Sequence, residues 1–127
     1  MLYYNHKERK EINKPKEKNQ VKLWVDDVRP APYGYRTVRS VNEAKETIET
    51  YEIMRRVSGG KRCYIIELID VDHDAGDFAN DGGDYIKLLD WLEETGRNYP
   101  IHIHSMNPVG IENMRRIIQK NGWTEIK

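Results

Sequence analysis

Side chains able to bind metal or move protons follow three apolar runs of the 127-residue sequence, each at the point where the run ends. The first run is followed by Asp26-Asp27, the second by Asp72-His73-Asp74, and the third by His104-Ser105-Met106-Asn107. Buried parallel strands read as nearly continuous apolar runs, and open α/β sheets bind ligands outside the carboxyl ends of their strands. We therefore expect these three groups to form one composite site.

The carboxylates of this expected site favour a hard divalent cation. Oxygen ligands suit Mg²⁺ or Mn²⁺, which bind through one or two carboxylates, water and a substrate phosphate. Adjacent carboxylates also repel each other unless a cation or hydrogen-bond donors offset their charge. The alternative is that the paired aspartates only cap turns. The predicted metal ligands are Asp26, Asp27, Asp72 and Asp74.

Three histidines lie near the predicted strand ends. His102 and His104 are two residues apart and therefore share one face of a strand. His104 is nearer the strand end, which makes it the predicted general acid or base, whereas His102 is predicted to be a hydrogen-bonded core residue. His73 either assists in proton transfer or packs under the loop that follows it, and the sequence leaves both roles open.

A phosphate-binding element is predicted after the third run. Asn107 caps a helix that has Pro108 at its first position, and the free backbone N–H groups up to Gly110 face the same edge of the sheet. The alternative is an ordinary helix cap without a ligand. Arg29, in the turn after the first run, is a candidate phosphate clamp, although an arginine in a turn is often only solvated.

Strands and helices alternate along most of the chain, which predicts a parallel sheet with right-handed crossovers. The prolines of segment 29–32 exclude a helix between the first two strands. The predicted strands are 21–25, 35–38, 64–71, 100–104 and 123–126, and the predicted helices run from the capping box at 40–43 to Gly59, from Tyr85 to about Gly96, and from Pro108 to Asn121.

Composition divides the chain into a basic tail, residues 1–20, and a domain over residues 21–127. The tail holds 6 Lys and Arg against 3 Glu, while the remainder holds 15 basic against 18 acidic residues. The tail is interpreted either as a weak nucleic-acid contact or as a solvated segment, with a helix predicted from Tyr3 to Ile12. The single Cys63 and the lack of an apolar run of about 20 residues predict a cytoplasmic protein that does not enter a membrane.

The order of the motifs resembles the receiver domains of two-component signalling. The stretches that carry the resemblance are Leu23-Trp24-Val25-Asp26-Asp27, Val71-Asp72-His73-Asp74 and His104-Ser105-Met106-Asn107-Pro108. The resemblance implies that the acidic pair after strand one holds Mg²⁺, that Asp72 accepts a phosphoryl group, and that Ser105 contacts this group. The only candidate for the lysine that receivers carry after strand five is Lys127.

A narrower resemblance rests on Arg29-Pro30-Ala31-Pro32, His73-Asp74 and His104-Ser105-x-Asn107-Pro108-x-Gly110. Over about residues 21–127 the chain is similar to the cyclic-phosphate-processing receiver-like family. The implied fold is a flavodoxin-like three-layer sandwich with a five-stranded parallel sheet of order 2-1-3-4-5, which lacks the first crossover helix and the last helix.

Two functions are expected from these features. The first is metal-dependent processing, by hydrolysis or binding, of a cyclic phosphate in a nucleotide or an RNA end. Its catalytic residues would be Asp72, His104, His73 and Ser105, and its phosphate-binding residues Ser105, Asn107, Gly110 and Arg29. The alternative is a non-enzymatic receiver module that is phosphorylated on Asp72 or senses a phosphate ligand. The sequence does not decide whether turnover occurs.

Overall fold

The computed structural model describes residues 20–60 and 64–127. The tail helix predicted over Tyr3–Ile12 and the burial of Cys63 therefore lie outside the described residues. The described elements are β1 (Gln20–Val25), β2 (Tyr35–Val38), α1 (Val41–Val57), β3 (Ile65–Val71), a 3₁₀ turn (Gly76–Phe78), α2 (Ile86–Glu94), β4 (Ile101–Ile103) and α3 (Pro108–Asn121).

The described strands form one parallel sheet of order β2-β1-β3-β4. Val25 pairs with both Val38 and Val71, and Val71 pairs with Ile103, so the carboxyl ends of all four strands reach the same edge. The predicted turn without a helix between β1 and β2 is confirmed for residues 26–34.

The fifth strand predicted at 123–126 is wrong. This segment contacts the sheet through a single bridge between Ile101 and Glu125, with hydrogen bonds from Ile101 N–H to Thr124 and from Ile126 N–H to Ile101. The neighbouring β4 has only three residues, so its pairing with this segment is limited to one bridge.

The three described helices contribute to one apolar cluster, which lies on a single face of the sheet. Alternate residues of β1, such as Leu23 and Val25, point into this cluster, as do Ile69 of β3 and Ile101 of β4. The described residues thus form two layers rather than the expected three. The cause is the connection between β1 and β2, which forms a turn where a helix would cover the second face. The helix residues in the cluster are Val41, Ala44, Ile48, Tyr51, Leu88, Leu89, Leu92, Met114 and Ile118.

The second face of the sheet carries the intervening side chains of the same strands. Trp24 of β1 is paired with Asp70 of β3, and Asp70 is paired with His102 of β4. One step further along the strand direction, Asp26, Asp72 and His104 follow in the same alternation. Strand register therefore places these side chains on one face of the sheet.

Candidate functional site

Three carboxylates meet at the carboxyl edge of the sheet. Backbone hydrogen bonds continue past the strand ends, because Asp72 N–H donates to Val25 and His104 N–H donates to Val71, both at 2.9 Å. One carboxylate oxygen from each of Asp26, Asp27 and Asp72 lies within 4.8 Å of the others. We call these three residues the carboxylate cluster. The structure thus brings together three of the four predicted metal ligands.

The fourth predicted ligand, Asp74, lies apart from the carboxylate cluster. Its carboxylate accepts a hydrogen bond from Nδ1 of His73 at 2.9 Å, and 62% of its side chain is exposed. The chain turns outward after Asp72, which places the alternate residue away from the sheet edge. Asp74 therefore serves as a partner of His73 in this structure.

Asp26 is held rigidly within the carboxylate cluster. Its Oδ1 accepts hydrogen bonds from the backbone N–H groups of Val28 and Arg29, and its Oδ2 lies 2.9 Å from Nε2 of His104. Burial raises the pKa of Asp26, but these three hydrogen bonds outweigh it, so the pKa lies below its usual value. Asp26 thus also caps a turn, which was the alternative to a metal site.

The charge of Asp27 is disfavoured by the other members of the carboxylate cluster. Burial raises its pKa, and the negative charges of Asp26 and Asp72 raise that pKa further. Among residues 20–60 and 64–127, no lysine or arginine forms an ion pair with any of the three carboxylates. Of the three carboxylates, only that of Asp26 is paired with a basic side chain of the described residues, His104. Crowded oxygen ligands are the donor set that Mg²⁺ or Mn²⁺ prefers, so the residues present fit such an ion.

The loop after β3 closes over the carboxylate cluster at Gly76. This residue has a φ of +54°, and a Cβ atom there would lie 2.2 Å from Oδ2 of Asp27. Only glycine permits both this backbone conformation and this approach. Gly76 was visible in the sequence as one of several loop glycines, but nothing there linked it to Asp27.

His104 is enclosed by carboxylates and an aromatic ring. Its Nδ1 lies 2.6 Å from Oδ1 of Asp70, and its Nε2 lies 2.9 Å from Asp26. The Trp24 ring is stacked on the imidazole, with 3.8 Å between centroids and 2° between planes. Burial lowers the pKa of His104, but the hydrogen bonds to Asp70 and Asp26 prevail and raise it above its usual value. Because both ring nitrogens are hydrogen-bonded to carboxylates, His104 has no free nitrogen for proton exchange with a ligand.

Asp70 and Trp24 are site residues that sequence reasoning missed. Asp70 falls within the predicted strand 64–71 and Trp24 within the predicted strand 21–25, and neither was predicted as a site residue. Asp70 accepts hydrogen bonds from both His104 and His102, and these bonds hold its pKa below the usual value although burial acts to raise it. The available signal was a charged residue within an otherwise apolar strand.

His73 lies against the first turn of α3. Its Nδ1 is 2.9 Å from Asp74 and 3.4 Å from Nδ2 of Asn107. A Cβ atom on Gly110 would be 2.4 Å from Cγ of His73, so the glycine makes room for the imidazole. Within the described part of the chain, no hydrogen bond reaches Nε2 of His73. This nitrogen is therefore available to exchange a proton with a ligand, whereas both nitrogens of His104 are hydrogen-bonded to carboxylates.

The start of α3 is a regular helix cap. Asn107 accepts a hydrogen bond from Gly110 N–H at 3.0 Å, and Ser105 Oγ accepts one from Asn107 N–H at the same distance. Since Pro108 has no N–H group, the backbone donor of Val109 is the one left for an anion in this turn. The predicted phosphate site at α3 thus retains the helix dipole and one N–H group.

Two arginines reach the carboxyl edge. Nη1 of Arg29 donates to the carbonyl oxygen of His104 at 3.2 Å, and Nη1 of Arg39 donates to the carbonyl oxygen of Asp26 at 3.0 Å. Each guanidinium keeps further donors for a phosphate. Arg29 was predicted from the sequence. Arg39 was missed, although it directly follows β2 as the aspartates follow β1.

The parallel sheet and the acidic cluster at its carboxyl edge define a receiver-like α/β domain. A family model described as "Cyclic-phosphate processing Receiver domain" matches residues 21–120. The chain belongs to this family, which confirms the resemblance stated from the sequence. Comparison with curated proteins and with solved structures found no match. Within the described residues, no helix has the length and apolar character needed to cross a membrane.

Proposed function

We propose that the protein hydrolyses a cyclic phosphate in a nucleotide or an RNA end, with a divalent metal ion bound at the carboxylate cluster. The observation that carries this proposal is the convergence of Asp26, Asp27 and Asp72, whose carboxylate oxygens lie within 4.8 Å of one another. Burial and the charges of its two neighbours raise the pKa of Asp27. A cluster that is destabilised by its own charge is typical of a metal or catalytic site. Membership of the cyclic-phosphate processing receiver family supports the substrate class.

The carboxylate cluster supplies the metal ligands. Asp26, Asp27 and Asp72 would hold Mg²⁺ or Mn²⁺, and the ion would supply charge stabilisation to a phosphate group. Asp26 is oriented by its hydrogen bonds to Val28, Arg29 and His104, and these bonds fix the direction of its free lone pairs.

Phosphate is bound on the rim of the carboxylate cluster. The guanidinium groups of Arg29 and Arg39 are anchored by backbone carbonyls beside the cluster, and their other N–H groups would bind the phosphate. Ser105 can donate its hydroxyl proton while its oxygen accepts from Asn107. Val109 N–H and the α3 dipole add a further attraction for negative charge.

His73 is the proton donor in this proposal. Water adds to phosphorus, one of the two ester P–O bonds breaks, and the leaving oxygen takes a proton from Nε2 of the imidazolium form of His73, which gives a phosphate monoester and a free hydroxyl. The proton lost by the attacking water passes through solvent and restores the imidazolium. Asp74 bonds the opposite ring nitrogen and orients the imidazole. His104 acts as a positioning residue, since both of its nitrogens are engaged by carboxylates.

A receiver module without turnover is the second candidate. It is favoured by Asp72, which ends β3 inside the carboxylate cluster and has its Oδ1 bonded to His73 N–H at 2.7 Å. Such a residue can accept a phosphoryl group from a small phosphodonor. The two candidates differ in whether the phosphate remains on the protein.

The test is a panel of 2′,3′-cyclic and 3′,5′-cyclic nucleotides and of RNA oligonucleotides with a 2′,3′-cyclic end, incubated with the full chain and Mg²⁺ or Mn²⁺. We expect a ring-opened monoester from at least one substrate class, separated by anion-exchange chromatography. His73→Gln should lose about 10²–10⁴-fold in kcat. The control variant Glu49→Gln removes an exposed charge on α1 and should retain full activity.

Incubation of the same variants with acetyl phosphate distinguishes the second candidate. Acid-labile phosphate on Asp72, together with no conversion of any cyclic substrate, would replace the hydrolase with the receiver module. Conversion that is unaffected by His73→Gln would contradict the role of His73.

A further inference from the structure

A second group of ligand atoms lies beside the carboxylate cluster, on the sheet face that carries Trp24. It consists of Oδ1 of Asp70 and the Nδ1 atoms of His102 and His104. The two nitrogens are 2.8 Å and 2.6 Å from the oxygen, and all three residues offer ligand atoms within 4.8 Å of one another. We propose that Asp70, His102 and His104 form a transition-metal site whose ligands suit Zn²⁺.

The ligands of this histidine site are delivered by paired strands. Asp70 and His102 are direct partners in the parallel ladder of β3 and β4, so their side chains leave the sheet on the same face. His104 lies two residues beyond His102 and returns to that face. Sites built on strands are held more precisely than sites on loops.

The donor set separates this site from the carboxylate cluster. Two imidazole nitrogens and one carboxylate suit Zn²⁺ and other first-row transition metals, whereas Mg²⁺ prefers oxygen alone. Two atoms that bind one zinc ion at about 2.0–2.2 Å stand about 3.0–3.5 Å apart. The observed separations need to open by less than about 1 Å for the ion to replace the shared protons.

A second observation independently supports the histidine site. The remaining nitrogen of His104, Nε2, is bonded to Oδ2 of Asp26 at 2.9 Å, and the ring is fixed by its stack on Trp24. Ligand histidines usually donate their other N–H group to a carboxylate, and this sets the tautomer that leaves the first nitrogen free for the metal. His104 has this arrangement, with Nδ1 directed at Asp70.

The exposure of the three side chains also suits a metal site that solvent can reach. The side chains of Asp70 and His104 are 6% and 9% exposed, while that of His102 is 34% exposed. Two buried ligands and one accessible ligand leave a route for the ion and a coordination position for water. Asp26 belongs to the carboxylate cluster and also bonds a ligand of the histidine site, so occupancy of one site should alter the affinity of the other.

The test uses the full chain, stripped with chelator, and does not depend on the proposed activity. Co²⁺ replaces Zn²⁺ and gives a visible absorption band when bound by nitrogen and oxygen ligands in a tetrahedral site. We expect one equivalent of Co²⁺ to give this band and Zn²⁺ to abolish it. The band should persist in millimolar Mg²⁺. Co²⁺ should also quench the fluorescence of Trp24, and Trp24→Phe should remove most of that quenching.

Matched variants assign the band to its residues. His102→Gln should weaken Co²⁺ binding by at least about tenfold, whereas Glu49→Gln, which removes an exposed charge on α1, should leave it within about twofold. His6→Gln controls for binding outside the described residues, and circular dichroism confirms that each variant is folded. Absence of a stoichiometric band, or a band that survives His102→Gln unchanged, would show that the three side chains only share protons and would overturn the proposal. Failure of the cyclic-phosphate assay would leave this result unaffected.

Discussion

The Asp27→Asn substitution removes the charge that the carboxylate cluster tolerates least. The oxygens of Asp26, Asp27 and Asp72 lie within 4.8 Å of one another, and two unit charges at that distance repel by about 3.5 kcal/mol at an effective dielectric constant of about 20. Because Asp27 is partly exposed, solvent screening reduces the net effect to about 1 kcal/mol. We therefore expect the metal-free variant to unfold about 4 °C above the wild type.

The pH dependence of this effect has a defined sign. The pKa of Asp27 in the folded protein is above the usual value of 3.8, so the folded state binds the proton more tightly than the unfolded state. Stability is then lost as the pH rises above about 4, and the gain from Asp27→Asn should grow over the same range. Below about pH 3 the wild type and the variant should unfold at similar temperatures.

Added metal should reverse the order of stability. Thermal unfolding followed by circular dichroism at neutral pH, in chelator and in millimolar Mg²⁺, should show a rise for the wild type and little change for Asp27→Asn, because the variant has lost a ligand. Glu49→Gln, which removes an exposed charge elsewhere, should behave as the wild type. A lower melting temperature of Asp27→Asn in chelator, or an equal rise of both proteins with Mg²⁺, would refute the reasoning.

Two further predictions concern the histidines. The pKa of His104 is raised in the folded protein, so its hydrogen bonds stabilise the fold fully below about pH 6.5 and lose this effect as the pH rises through the folded-state pKa. Urea unfolding should therefore show that His104→Gln lowers the free energy of unfolding by about 2 kcal/mol at pH 6 and by less towards pH 9. A loss that stays constant with pH would contradict this. Gly110→Ala should destabilise the protein by about 1–3 kcal/mol although alanine favours helices, because the added Cβ would clash with the His73 ring. A gain in stability would show that the ring moves away freely.

Much of the architecture could be predicted because the sequence signals are local. The capping box predicted at Ser40 is present, with its Oγ accepting from Glu43 N–H, and Asn107 caps α3 as expected. Gly122 ends α3 in the left-handed conformation, with a φ of +67°. The three strand ends that suggested a composite site converge because parallel strands present their carboxyl ends at one edge.

The remaining features depend on contacts between distant residues. Asp70 bonds histidines 32 and 34 positions further along the chain, and within its own strand it looks like an interruption. Asp74 has the same residue type as Asp72 but follows the point where the chain turns outward. The fifth strand had suitable residues at 123–126, yet pairing requires a neighbour of sufficient length, and β4 has three residues.

The central claim is that the carboxylate cluster supports metal-dependent opening of a cyclic phosphate. Phosphorus NMR of the full chain with a 2′,3′-cyclic nucleotide, recorded in Mg²⁺ and then in excess chelator, tests it most directly. We expect that the cyclic resonance is replaced by a monoester resonance in Mg²⁺, that chelator stops the conversion, and that the folded Asp27→Asn variant shows at least about 100-fold slower conversion. Conversion at the wild-type rate by Asp27→Asn, or conversion that persists in chelator, would contradict it.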